Sequence, residues 1–196
     1  MPASGLILAS ASPRRRELLA QLGLPFEVFE PRVDETPAAG ELAAVQLVER
    51  LARAKAEAGR RAFPGATIIA ADTEVALPER PVFGKPADAG DAKRMLRSLS
   101  GRQHQVCTGV CVASPERSIV RSVVTQVDMR PMSPAEIDWY VGTGEPLDKA
   151  GAYAIQGKGA IFVAAIQGSW SNVVGLPMAE LTAMLSELGV ALPWLA

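Results

Sequence analysis

A dense group of serine and arginine side chains lies near the amino terminus of the sequence. Ser10 and Ser12 are followed by Pro13, Arg14 and Arg15, directly after a short apolar run. Ser-Pro is typical of a helix start, where free N–H groups and the helix dipole attract anions. Arginine adds forked contacts to phosphate oxygens. The alternative is a capped helix with a solvated basic side, but a helix built only for stability should avoid three cations in its first turn. We therefore predict an anion site.

A carboxylate and a lysine are candidates for the chemistry itself. Asp72 and Thr73 follow the apolar run 66–71, which predicts a buried strand that ends at these residues. At the carboxyl end of a strand, Asp72 can hold a hard cation or take a proton from water, although a turn or capping aspartate looks the same. Lys55 is the only charged residue on the apolar stripe of the helix predicted at 41–62. It either snorkels at the edge of the buried face or faces phosphates in a cleft.

Three further residues have types that suit a phosphate, a metal or a base. Lys85 lies between glycine and proline on a stiff loop, where it is either a phosphate contact or simply solvated. Glu35 lies in the loop predicted at 31–40, and it can share one Mg²⁺ with Asp72 if that loop folds over the same cleft. Gln156 offers a donor and an acceptor, which suits a base edge, or else it belongs to a strand that enters a glycine turn.

Composition excludes several classes of protein. The chain has 196 residues, 48% of them hydrophobic, with a formal net charge of −1, so it is neither disordered nor a general nucleic-acid binder. One histidine, His104, and two cysteines cannot form a Cys/His zinc site, and we interpret His104 as structural. Cys107 and Cys111 are too far apart along one strand to bridge, as expected in a reducing cytoplasm. Without a signal peptide or membrane span, we expect a cytoplasmic protein. The motifs of Walker NTPases and dinucleotide dehydrogenases are absent.

Alternating strand and helix patterns predict an α/β protein with a mixed sheet and two lobes. Strands are predicted at 5–9, 25–30, 66–71, 105–113, 117–129 and 160–166, with one short strand inside 142–159. Helices are predicted from 13 to about 23, at 41–62, from Asp88 to before Gly101, at 134–141 and at 177–188. The buried stripe of the second helix is predicted to run from Ala44 through Lys55 to Ala58 and Ala62.

Together these segments closely resemble the Maf family of nucleoside triphosphate pyrophosphatases. The matching segments occur in the family's order and cover nearly the whole chain: LILASASPRR at 6–15, VDET at 33–36, LARAK at 51–55, ADT at 71–73, GKP at 84–86, LSGR at 99–102, GEPLDKAGAY at 144–153, IQG at 155–157 and SNVVGLP at 171–177. The resemblance implies a single domain over 1–196, with an elongated mixed sheet, flanking helices and a cleft between two lobes, similar to the inosine triphosphatase group. It also implies a homodimer, with no nucleic-acid or membrane partner.

The resemblance implies hydrolysis of a nucleoside triphosphate at the α-phosphorus, with a divalent cation, Mg²⁺ or Mn²⁺, as cofactor. Asp72 matches the proton acceptor, and Glu35 matches an acidic residue near the metal, which we assign to these two carboxylates. Ser10, Arg14, Arg15, Lys55 and Lys85 match the phosphate-handling set, to which our interpretation of the anion site adds Ser12. Arg14, Thr73 and Gln156 match positions tied to base choice.

The segment around Gln156 looks like the family branch that acts on dTTP and UTP. Alternatives are a modified pyrimidine triphosphate, 7-methyl-GTP, or a nucleotide-binding regulator of cell division without significant turnover. Glu74, Ala154 and Trp170 depart from the family pattern. Glu74 adds a carboxylate beside the site, where it can ligate metal or alter the base pocket.

Overall fold

The structure is a computed structural model that describes residues 5–36, 43–77 and 82–194. The strands are β1 (Leu6–Ala9), β2 (Phe26–Phe29), β3 (Thr67–Ala76), β4 (Gln103–Ala113), β5 (Ser118–Met129) and β6 (Val163–Gln167). They form one sheet in the order β2-β1-β3-β4-β5-β6. The helices are α1 (Pro13–Ala20), α2 (Ala44–Ala62), α3 (Ala89–Leu99), α4 (Pro134–Gly142), α5 (Trp170–Val174) and α6 (Met178–Glu187). This arrangement confirms the predicted mixed α/β fold.

The sheet contains a step at the carboxyl end of β1. β1 is parallel to β2 and β3, whereas each strand from β3 to β6 is antiparallel to the next one in the sheet. β1 ends at Ala9, which pairs with Ala70, while β3 continues to Ala76. Beyond the end of β1, the edge of β3 that pairs with β1 is contacted again at Val75, which forms an isolated bridge with Phe83. The step leaves a notch at the end of a parallel strand, which is where α/β proteins bind ligands.

Apolar side chains form separate cores on the two sides of this notch. α1 and α6 contribute Leu19 and Leu181 to one core. α3, α4 and β5 contribute Leu96, Tyr140 and Val127 to the other. Because both cores are built on one continuous sheet, they correspond to the two predicted lobes around a cleft.

α2 packs unusually closely on the opposite face of the sheet. Gly109 on β4 pairs with Asp72 on β3, and a Cβ atom at Gly109 would collide with the backbone of Val48 on α2. Gly59 of α2 packs on the Ile68 side chain of β3, where a Cβ atom would lie 2.7 Å from the Ile68 Cγ2 methyl group. Lys55 lies between these two contact points along the helix. The two glycines therefore bring the helix close enough for the Lys55 side chain to reach β3.

Two predictions about strands are wrong. The strand predicted at 66–71 does not end at Asp72, because β3 continues to Ala76 by pairing with β4. The short strand predicted inside 142–159 is also wrong. That described segment instead contains 3₁₀ turns at Glu145–Asp148 and Ala150–Ala152, and Gly144 and Gly151 have a positive φ that a strand does not allow.

Two burial predictions also need correction. The segment predicted as a buried strand at 160–166 begins with a 3₁₀ turn at Lys158–Phe162, and the strand that follows, β6, is a largely exposed edge strand. At the carboxyl end of α2, Ala56 and Gly59 are buried, whereas Ala62 is exposed and Ala58 only partly buried. Residues 41 and 42 of the predicted helix and 37–40 of the predicted loop lie outside the described ranges.

Other local predictions are confirmed. Asp88 caps α3, and Ser133 begins α4 with a complete capping box. Cys107 and Cys111 are free, buried thiols. Among the helices of the described ranges, none is long and apolar enough to cross a membrane.

Candidate active site

All ten residues predicted for the site line one cleft in the notch of the sheet. The cleft has a volume of about 640 Å³ and takes residues from both lobes. The predicted residues in its lining are Ser10, Ser12, Arg14, Arg15, Glu35, Lys55, Asp72, Thr73, Lys85 and Gln156. The fold therefore brings together segments that are far apart along the chain.

Lys55 lies between two carboxylates in this cleft. Its Nζ is 2.6 Å from Oδ1 of Asp72 and 2.6 Å from Oε1 of Glu35. The side chains of Lys55 and Asp72 are each 9% exposed, whereas Glu35 is 56% exposed, so Glu35 reaches the pair from the solvent side. An ammonium at this depth needs such partners, because burying an unpaired charge costs several kcal/mol, on the order of 3–5. Lys55 is thus held inside the cleft and not at the edge of the helix.

Glu35 and Lys85 complete the charges on the open side of the cleft. Partial burial favours the neutral form of Glu35, but the hydrogen bond and charge of Lys55, together with Lys85 and Arg15, hold the pKa of its carboxyl below the usual value. Glu35 is therefore ionised at neutral pH. Lys85 is exposed at the rim, and its ammonium makes no hydrogen bond or ion pair within the described chain. It is available to an incoming anion.

Arg15 is fixed by three acceptors. Its Nε donates to the Gly175 carbonyl over 2.8 Å, one terminal nitrogen donates to Ser10 Oγ over 3.3 Å, and the other donates to Thr73 Oγ1 over 3.0 Å. A guanidinium has five N–H groups, so two remain for a ligand. The arrangement therefore presents a cation whose orientation is set before any anion arrives.

The hydroxyl of Thr73 takes part in positioning Arg15. Thr108 Oγ1 donates its hydrogen to the Asn172 carbonyl over 3.1 Å. In the 2.9 Å contact between the two threonine hydroxyls, Thr73 must therefore be the donor. Since Thr73 also accepts from Arg15, one lone pair on its oxygen remains for a substrate.

The two predicted serines organise the first turn of α1. Ser12 is the N-cap, and its Oγ accepts a hydrogen bond from the backbone N–H of Arg15 over 3.4 Å. Ser10 Oγ accepts from the backbone N–H of Ser12 over 3.2 Å. The predicted helix start is confirmed, and the residues of this first turn line the cleft.

The mouth of the cleft is crossed by an ion pair between the lobes. Arg14 is 3.3 Å from Asp148, and the Lys149 ammonium contacts the same carboxylate. Asp148 and Lys149 are not among the predicted site residues; the only signal for them in the sequence is an adjacent pair of opposite charges in a glycine-rich stretch. Gln156 is exposed in the same wall of the cleft, on a turn. The hypothesis that it belongs to a strand is wrong.

Glu74 is a third carboxyl group in the cleft. It lies two residues after Asp72 on β3, so both side chains are on the α2 face of the sheet. Its Oε2 is buried and has no hydrogen-bond partner in the described chain. Burial, together with the negative charges of Asp72 and Glu35, raises the pKa of Glu74 to about 8. Glu74 is therefore mainly protonated at pH 7.

The donor set fits a divalent cation that arrives with phosphate. Glu35 and Asp72 offer the oxygen ligands that Mg²⁺ and Mn²⁺ prefer, and each contacts Lys55 through one oxygen only. Within the described residues, no group of three or more His, Cys, Asp or Glu is arranged to hold an ion. Mg²⁺ commonly binds through one or two carboxylates and completes its shell with substrate phosphates and water. These residues suit that mode of binding.

His104 lies outside the cleft lining. It is buried, and its Nε2 is 2.8 Å from the Tyr153 hydroxyl. Burial lowers the pKa of His104 to about 4, so the imidazole is neutral at physiological pH. This supports its interpretation as a structural residue.

Nearly the whole chain is similar to known proteins of one family. The model of the family described as "Maf-like protein" matches residues 5–188. The chain belongs to the Maf family. A relative from Myxococcus xanthus named "dTTP/UTP pyrophosphatase" is 55% identical over 193 residues, which cover 97% of this chain and 96% of the relative. Another protein of that name, from Sphingopyxis alaskensis, is 51% identical over 98% of this Maf chain and 100% of its own length.

A solved structure supports the fold alone. The Staphylococcus aureus Ham1 protein superposes with a TM-score of 0.56 at 16% sequence identity, covering 94% of this Maf chain and 99% of the Ham1 chain. At that identity the match bears on architecture and not on substrate. It agrees with the mixed sheet and flanking helices predicted for the chain.

Proposed function

We propose that this Maf protein hydrolyses dTTP and UTP at the α-phosphorus, releasing pyrophosphate and the nucleoside monophosphate. The observation that carries the proposal is the cleft in which Arg14, Arg15, Lys55 and Lys85 converge beside a buried Asp72. The relatives named "dTTP/UTP pyrophosphatase" support the reaction and the base preference.

The cations suit a triphosphate, which carries about four negative charges at neutral pH. Arg15 keeps two N–H groups free, and Lys85 makes no bond within the described chain, so both can bind phosphate oxygens. Lys55 is held by Asp72 and Glu35 until a phosphate competes for its ammonium. Such preset cations stabilise the charge that develops on the leaving pyrophosphate.

Asp72 is the residue that activates water in this proposal. Its Oδ1 is occupied by Lys55, while Oδ2 has no hydrogen bond to a described residue. Oδ2 can therefore orient a water molecule for attack on phosphorus and accept its proton. The ion pair between Oδ1 and the Lys55 ammonium fixes the orientation of the carboxyl group within the cleft.

Glu35 and Asp72 would hold a divalent cation, Mg²⁺ or Mn²⁺, together with the substrate phosphates. When bound, such an ion neutralises phosphate charge and polarises the phosphoryl oxygens. The cytoplasmic location expected from the sequence stays a prediction, as does the homodimer that the family resemblance implies.

Base choice is assigned to Arg14, Thr73 and Gln156, which all line the cleft, and Gln156 supplies the amide that can read a base edge. Uracil and thymine present carbonyl oxygens on both sides of an N–H, a pattern that one amide side chain can pair with. Gln156 is exposed in the cleft wall, so its amide is accessible to such an edge. Modified uracils that keep this edge fit equally well.

The decisive experiment is pyrophosphate release from dTTP, UTP, CTP, GTP and 7-methyl-GTP with Mg²⁺ or Mn²⁺. We expect turnover with a preference for dTTP and UTP. Asp72→Asn should still bind nucleotide but lose turnover, because the amide keeps the shape of the carboxyl and removes its basicity. Calorimetric binding of nucleotide without pyrophosphate release by the wild type would favour the regulatory alternative. Wild-type rates from Asp72→Asn would remove that residue from the mechanism.

A further inference from the structure

The turn that carries Gln156 has little regular structure of its own. Its backbone bonds are turn contacts, from Gly157 N–H to the Ala154 carbonyl over 3.3 Å and from Ala160 N–H to the Gly157 carbonyl over 3.1 Å. The Gln156 side chain is exposed. The direction in which its amide points is therefore set by whatever holds residues 154–159 in place.

A buried tyrosine and a glutamate hold both ends of this turn. The Tyr140 hydroxyl on α4 accepts a hydrogen bond from the Ala154 N–H over 3.0 Å and donates to Glu145 Oε1 over 2.8 Å. Glu145 in turn accepts from the backbone N–H groups of Lys158 over 3.0 Å and Gly159 over 3.1 Å. Gln156 lies in the middle of the segment that these bonds clamp.

The glycines of the turn fit tightly around this pair. A Cβ atom at Gly157 would overlap the Glu145 carboxylate, and one at Gly159 would lie 2.5 Å from the Tyr140 hydroxyl oxygen. The backbone thus approaches both side chains more closely than any other residue type allows. All the hydrogen bonds of the Glu145 carboxylate in the described chain go to Tyr140 or to this turn.

The hydrogen-bonding roles within the pair are fixed. Burial, followed by the hydrogen bond to Glu145, raises the pKa of Tyr140 above its usual value, so the hydroxyl keeps its proton. For Glu145, burial opposes ionisation, but the hydrogen bonds from Lys158, Tyr140 and Gly159 hold the pKa below its usual value. A carboxylate accepts three hydrogen bonds here, and an amide of the same shape cannot do so.

We propose that Tyr140 and Glu145 are positioning residues that set the base preference of the cleft by fixing the turn that carries Gln156. The proposal deepens the proposed function and rests on it. Neither residue lines the cleft, so they act through the backbone of the turn and not by touching the nucleotide. Their loss should alter the choice between bases while leaving the phosphate-binding groups in place.

The test compares UTP with CTP, which share the sugar and triphosphate and differ only at the base edge. Glu145→Gln leaves at least one N–H of the turn without an acceptor, and Tyr140→Phe removes the acceptor of Ala154. We expect each variant to reduce the ratio of kcat/KM for UTP over CTP by at least about fivefold, the effect of one mispaired buried polar group. Glu136→Gln is the matched control: Glu136 caps its own helix and binds Arg130, so its loss should lower Tm without changing the ratio.

A double-mutant cycle separates positioning from general support of the fold. If Glu145 acts through Gln156, Glu145→Gln should cause no further change in the ratio when Gln156 is already alanine. The proposal is overturned if the folded variants keep the wild-type ratio, which means that UTP and CTP are affected equally. It is also overturned if Glu145→Gln still lowers the ratio when Gln156 is alanine.

Failure of the proposed function gives a different result. A wild type that releases no pyrophosphate refutes the proposed function alone. The same variants are then compared by calorimetric Kd for UTP and CTP. A smaller ratio of the Kd for CTP to the Kd for UTP than in the wild type supports the positioning role. An unchanged ratio, or a wild type without base preference, overturns it.

Discussion

Replacing Lys55 with methionine should destabilise the protein as well as inactivate it. Lys55 is the shared partner of a buried Asp72 and a half-exposed Glu35. Methionine keeps most of the side-chain volume but leaves the two carboxylates facing each other. Breaking a fully buried ion pair costs about 3–5 kcal/mol; because this cleft is open to water, we expect about 2–3 kcal/mol. For a chain of this size, that lowers Tm by about 5–10 °C.

A second substitution, which removes the charge of Asp72, tests whether the unpaired carboxylate causes the loss of stability in Lys55→Met. In Lys55→Met/Asp72→Asn the buried carboxylate is gone, and Glu35 can turn to solvent, so most of the lost stability should return. Asp72→Asn alone should cost less, about 1 kcal/mol, because Lys55 keeps Glu35 as a partner. Lys93→Met is the matched control, since it breaks an exposed pair with Asp138 and should change stability by less than about 1 kcal/mol.

The assay is thermal unfolding at pH 7 for all four variants, with pyrophosphate release measured in parallel. Both variants that lack Lys55 should be inactive, although only Lys55→Met should lose much stability. Loss of activity is thereby distinguished from loss of stability. A Tm for Lys55→Met within about 2 °C of the wild type would refute the reasoning, as would a double variant no more stable than the single one.

Two further predictions concern the base and the third carboxyl group. Gln156→Ala should erase most of a preference of at least about tenfold for dTTP and UTP while sparing turnover, because it removes the amide that pairs with the base edge; unchanged kcat/KM ratios across the nucleotide panel would contradict this. Burial, with Asp72 and Glu35, raises the pKa of Glu74 to about 8, so its neutral form favours folding at acid pH and that contribution is lost as pH rises towards 8. Glu74→Gln should flatten the fall of Tm between pH 4.5 and 8, the range between the ordinary and the raised pKa; parallel curves for the two proteins would exclude Glu74 as the group that titrates.

The sequence alone determined the features that depend on neighbouring residues. Ser12 with Pro13, Asp88 and Ser133 each begin a helix, because a cap needs only its own side chain and the N–H groups of the next turn. The types and order of the site residues, and with them the family, are equally a property of the sequence. Chemistry that belongs to a side chain can be recognised before its partners are known.

The tertiary structure decided whatever depends on a distant partner. β3 continues past Asp72 because β4, more than thirty residues later, supplies the pairing edge, and no local pattern of residues 66–76 contains that information. The segment that carries Gln156 lacks a strand for the same reason: its N–H groups are bound by Tyr140 and Glu145 and not by a neighbouring strand. A backbone group takes the conformation that satisfies its hydrogen bond, and only the folded chain shows which acceptor is within reach.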